Sequence, residues 1–80
     1  MNPDIILKVR QSFLEKEETI VLEYLNSITL KHVMAESQIN LDNTWHAILQ
    51  LSNGDLEELI RLTQCAKQDF RDVIYWATLK

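Results

Sequence analysis

Ser52-Asn53-Gly54-Asp55 (SNGD, residues 52–55) is the stretch that decides the fold. Gly54 is the only glycine in the chain. Glycine takes the left-handed conformation that ends a helix without a steric penalty. Asp55 is then placed to cap a following helix, with Glu58 three residues on as its reciprocal partner. Asp55, Glu57 and Glu58 also suit the positive end of a helix dipole. The stretch predicts one helix ending, a tight turn, and another helix beginning.

Downstream, Leu56, Leu59, Ile60, Thr63 and Ala66 form the expected buried face, and Glu57 and Arg61 stand four apart for an exposed pair. The last stretch, QDFRDVIYWATLK (68–80), carries three of the six aromatic residues. Phe70, Val73, Ile74 and Ala77 make one helical stripe, which is what a core-facing helix shows. The stripe runs in phase with the one before it. A break is nevertheless expected near Lys67-Gln68, with Asp69 as cap and Asp72 three residues later, because acids in a first turn mark a helix start.

Upstream, Pro3 is the only proline, and fifty residues free of both breakers separate it from Gly54. Strands need turn residues far more often, so this spacing favours helices. Pro3 suits a first helical turn, with Asn2 as cap. Ile6, Val9, Phe13, Ile20, Tyr24 and Ile28 then recur at helical steps, interrupted by Glu15-Lys16-Glu17-Glu18, which is either a solvated face or a break. Asn26-Ser27-Ile28-Thr29 reads as an end and restart. The stripe continues as Val33, Met34, Leu41, Trp45, Ile48 and Leu49. A second break is expected within 37–42, where Ser37, Asn40, Asp42, Asn43 and Thr44 crowd together. The resulting fold class is all-α, a compact bundle of four to five short helices in one domain, 1–80. The alternative is three long helices, roughly 4–26, 29–52 and 55–79.

Composition narrows the function. Twelve Asp and Glu against eight Lys and Arg give a net charge of −4. Residues 1–40 and 41–80 each carry six acids and four bases. Without a basic tail or stripe, neither nucleic acid nor an anionic membrane surface is an expected partner. SNGDLEELIRL resembles a helix-turn junction, but its helices are acidic and a phosphate backbone would repel them. No charged region followed by an apolar run marks a signal peptide, and no segment approaches a membrane span. One cysteine, Cys65, excludes an internal disulfide. The default compartment is the cytoplasm. At this length, packing or self-association must supply the stability.

Several side chains invite a chemical reading. His32 and Glu36, at i and i+4, have metal-ligand spacing, but two ligands are not a site. An edge histidine paired with Glu36 or a backbone group is the expected role. His46, beside Asp42, Asn43 and Gln50, is expected on an exposed polar face. Cys65 lies between Arg61 and Asp69 with no histidine near in sequence, so an inert thiol is expected. No phosphate loop, CxxC or HExxH occurs. No enzyme activity, cofactor or metal is expected.

Tyr75 and Trp76 flank the apolar stripe on opposite sides. Either each covers the core edge with its polar tip outward, or Arg71, Asp72, Tyr75 and Trp76 form a partner-binding patch of residue types enriched at interface hot spots. The expected function is a protein–protein interaction module, self-associating (a possible homodimer) or bound to a larger protein. The alternative is an acidic, antitoxin-like regulator or inhibitor of a basic protein.

Overall fold

The structure, a computed structural model, describes residues 2–33 and 37–79. It is all-α, and the described residues contain no strand. Helix α1 (Pro3–Ser12) starts as its sequence dictates. Pro3 occupies the first turn, and the Asn2 side chain accepts the Asp4 N–H at 2.8 Å. The helix ends where Phe13 turns extended, at φ −116° and ψ 159°.

Glu15–Glu17 then forms a single 3₁₀ turn, and α2 spans Glu18–Asn26. The charged run is therefore a break. Glu17 accepts the Leu14 N–H at 3.2 Å, and Arg10 reaches across to Glu18 at 2.9 Å. This interruption resets the helical phase. The buried residues are Ile5, Val9 and Phe13, then Val21, Leu25 and Ile28, whereas Ile20 is 43% exposed. The expected stripe through Ile6, Ile20 and Tyr24 is thus one residue out of register. An uninterrupted helix would have put 20 and 24 below 13; an extended residue pair followed by a 3₁₀ turn rotates 21 and 25 into that place.

A second 3₁₀ turn covers Leu30–His32, and α3 spans Gln38–Ser52 with Ser37 as its cap, accepting the Asn40 N–H at 3.3 Å. The break expected in 37–42 falls at Ser37. Met34 and Glu36 lie outside the described residues. Helix α3 is the centre of the bundle. Leu41, Thr44, Trp45, Ala47, Ile48, Leu49 and Ser52 are all buried, and such a spread around a helix means it is packed on most sides. The Trp45 indole N–H donates to the Leu25 carbonyl at 2.8 Å, which satisfies an end carbonyl of α2 from inside the core. The hydroxyls of Thr44 and Thr63 donate to the carbonyls of Asn40 and Leu59, at 2.7 and 2.8 Å. No buried side-chain polar atom among the described residues lacks a partner.

Asn53, at φ 47°, and Gly54, at φ 85°, make the left-handed turn after α3. A methyl group at Gly54 would lie 2.6 Å from the Ser12 carbonyl oxygen, so the turn is seated against the end of α1. Asp55 caps α4 (Leu56–Thr78) by accepting the Glu58 N–H at 3.3 Å. The Glu58 carboxylate holds Arg61 at 2.8 Å, so the exposed pair spans three residues rather than the expected four from Glu57.

Within α4 one residue is not helical: Asp69, at φ −156° and ψ 100°. The bend there is sharp. A straight helix would place Ala77 about 32 Å from Leu56. Instead the Gln50 side chain, on the far side of the Asn53–Gly54 turn, donates to the Ala77 carbonyl at 3.0 Å. Residues 56–68 and 70–78 are therefore two arms that fold back along α3. Leu59, Leu62, Thr63 and Ala66 are buried on the first arm, and Phe70 and Val73 on the second. Three long helices are excluded, because the chain breaks at 13–17, before 38 and at 69.

The radius of gyration, 11.4 Å, matches the roughly 11.6 Å of a compact domain of this length. The exposed area, 5075 Å², matches the roughly 5000 Å² of a folded chain of this size. The core is closed within one chain.

Candidate functional site

The second arm owes its position to Asp69. With extended backbone, Asp69 aims its Oδ1 at the Arg71 N–H, 3.0 Å away, a helix cap on the second residue of the arm. The same carboxylate takes the Arg71 guanidinium in a fork, Nε to Oδ1 at 3.0 Å and an Nη2 to Oδ2 at 3.1 Å. The hydrogen bonds from Arg71 hold the Asp69 carboxyl below its ordinary range, and Asp69 in turn raises Arg71. Both side chains are largely in water, so this pair orients the arm more than it stabilises it.

Once the arm is oriented, its two faces separate. Phe70 and Val73 turn inward. Arg71, Tyr75 and Leu79, spaced by four, turn outward, with Tyr75 61% exposed and Leu79 66% exposed. Asp72 is also exposed. Trp76 is half-buried and packs against the core. Of the four residues singled out by sequence, Arg71, Asp72 and Tyr75 therefore share open surface, and Trp76 lies at its inner edge. Leu79 belongs to the same face; its i+4 spacing from Tyr75 was the available signal.

The other candidates are dispersed. His32 Nδ1 accepts the Thr29 N–H at 3.0 Å, so the ring closes its own 3₁₀ turn through a backbone group. Its expected helical face is absent, because Leu30–His32 is that turn, and Glu36 lies outside the described residues. His46 is half-buried rather than open, in a hollow lined by Lys8, Ser12, Leu49, Gln50 and Asn53. The curl of the chain brings α1 over its face. Cys65 is half-buried against the core and touches Arg61, which Glu58 already holds. No group of three metal-ligating side chains occurs among the described residues. None of their helices is long and apolar enough to cross a membrane.

A second apolar surface was not legible in the sequence. Ile28, Leu30, Leu41 and Trp45 line a shallow hollow where α2 meets α3, rimmed by Asn26, Thr29 and Lys31. Ile28, Leu41 and Trp45 belong to the apolar stripes as core residues, and Leu30, 37% exposed, is the member that opens the hollow to solvent. Comparison with known proteins adds no relative: no family model, no curated protein and no solved structure matches this chain.

Proposed function

We propose that this protein is a protein–protein interaction module whose contact surface is the outward face of residues 70–79: Arg71, Asp72, Tyr75 and Leu79, with Trp76 as the packed support beneath. The observation that carries the reading is the exposure of Tyr75 and Leu79, one turn apart, on an arm whose opposite face is buried. A rigid aromatic that loses few rotamers on contact, flanked by an aliphatic side chain and an oriented arginine, is the composition of an interface anchor. Arg71 comes with its charge already matched by Asp69, so it can approach an apolar partner surface at lower desolvation cost than a bare cation.

The test is light scattering over a concentration series, comparing the native chain with Tyr75→Lys. A dimer that the substitution returns to monomer makes the second copy the occupant. A monomer at every concentration assigns the face to a different protein. Affinity capture with the intact chain must then recover a partner that Tyr75→Lys loses. If the variant behaves as the native chain in both measurements, the face is not an interface. The alternative of an acidic regulator would show steep salt dependence of partner binding, because exposed charges are screened within about 8 Å at physiological ionic strength.

A further inference from the structure

We infer that the arm 70–78 can exchange between two copies of this chain, with Asp69 as a one-residue hinge. The inference does not rest on the Tyr75 face. Its first support is the apolar stripe. Leu59, Leu62, Ala66, Phe70, Val73 and Ala77 keep helical spacing straight through the bend. Neither Gly nor Pro interrupts 55–79, so nothing in the backbone chemistry of the segment forbids a continuous helix. Its second support is the hinge itself: Asp69 alone departs from helical dihedrals. The bent state is held at that point by the Asp69–Arg71 cap and fork, on the surface, and farther along by one exposed bond from Gln50 to Ala77.

If Asp69 becomes helical, α4 is a straight rod of about 34 Å. The N–H groups that begin the second arm then find carbonyl partners one turn back, as in any helix interior. What is lost is the burial of Phe70 and Val73 and the packing of Trp76 and Ala77 against the core. A second copy opened in the same way presents the vacated groove and supplies an identical arm. Every core contact is remade between chains, which is why exchanging an element is a low-cost route to a two-fold dimer. Short connections of this kind are where swapping arises.

Asp69→Ala removes the cap and favours the straight helix, whereas Asp69→Asn retains a capping oxygen. Asp69→Ala should dimerise about thirtyfold more tightly than the native chain, since two closed arms each lose a cap on forming one dimer. Asp69→Asn should stay close to native. Topology is read with Gln50→Cys and Thr78→Cys in a Cys65→Ser background, joined by a short bis-maleimide after refolding at millimolar concentration. In the monomer fraction the link should lie within one chain, and in the dimer fraction between two. A dimer linked only within chains is a side-by-side dimer; it overturns arm exchange and leaves the Tyr75 face standing. An Asp69→Ala chain that is folded and strictly monomeric also overturns it. If Asp69→Ala does not fold, the native background decides, and the absence of any interchain link after concentrated refolding rejects the hinge.

Discussion

This protein reverses direction twice around the same helix, by opposite means. After α3, Asn53 and Gly54 both take left-handed backbone, and Gly54 is pressed against the Ser12 carbonyl of α1. At Asp69 one extended residue, with neither left-handed backbone nor glycine, makes the second reversal. The first reversal is set by steric exclusion, the second by a side-chain oxygen. A reversal of the first kind has no competing geometry; one of the second kind competes with a continuous helix.

The contrast breaks or holds first at Gly54. Gly54→Ala adds a methyl group in left-handed backbone and against a carbonyl oxygen, and should cost about 3 kcal/mol in urea unfolding. A variant as stable as the native chain would erase the distinction. Next comes the helix that both reversals share. Trp45→Phe removes one of the two donors to the buried Leu25 carbonyl, which keeps the Ile28 N–H at 3.1 Å, and should cost about 1.5 kcal/mol; both arms should melt together when hydrogen exchange is followed along α4. Independent melting of the arms would mean that α3 does not couple them.

Asp69→Ala should cost less than either of these, since it removes a single exposed cap, and Asp69→Asn should recover most of the loss. Equal loss in both would show that the ion pair, not the cap, sets the corner. Acidity isolates that ion pair. The folded Asp69 carboxyl is held below its ordinary value, so its contribution is complete above that value and fades as pH falls through the lower, folded one. The stability gap between the native chain and Asp69→Asn should therefore close below about pH 4. A gap that persists there would deny the pairing. Smallest of all, Tyr75→Lys should change stability by less than about 0.5 kcal/mol, as an exposed substitution does. A larger loss by thermal melting would make Tyr75 part of the core and end the interface reading.

Both reversals were legible because each is written in local chemistry: a unique glycine in SNGD, and an aspartate with an acid three residues on. Ser37 was legible for the same reason. The four-to-five-helix count followed from those marks. The register of the first two helices was not, since Ile5 and Ile6, or Ile20 and Val21, are equally apolar neighbours, and the extended Phe13-Leu14 pair resets the phase between the two helices. Leu62 escaped for a similar reason, since Leu59, Ile60 and Thr63 already satisfied the periodicity. The exposed Tyr75 followed from its place beside the stripe. The seating of Trp76 depends on the angle at which the arm returns to α3, which no local pattern encodes.

The Trp45 indole carries a further consequence for observation. The chain contains two tryptophans: Trp45, 5% exposed and hydrogen-bonded to a carbonyl of α2, and Trp76, half-buried on the returning arm. One emitter reports the sealed interior and the other the detachable edge. Replacing Trp76 by phenylalanine leaves a spectrum from the interior alone, and replacing Trp45 leaves the arm alone. The molecule thus comes with two optical channels of its own, through which opening at one end can be timed against collapse of the whole.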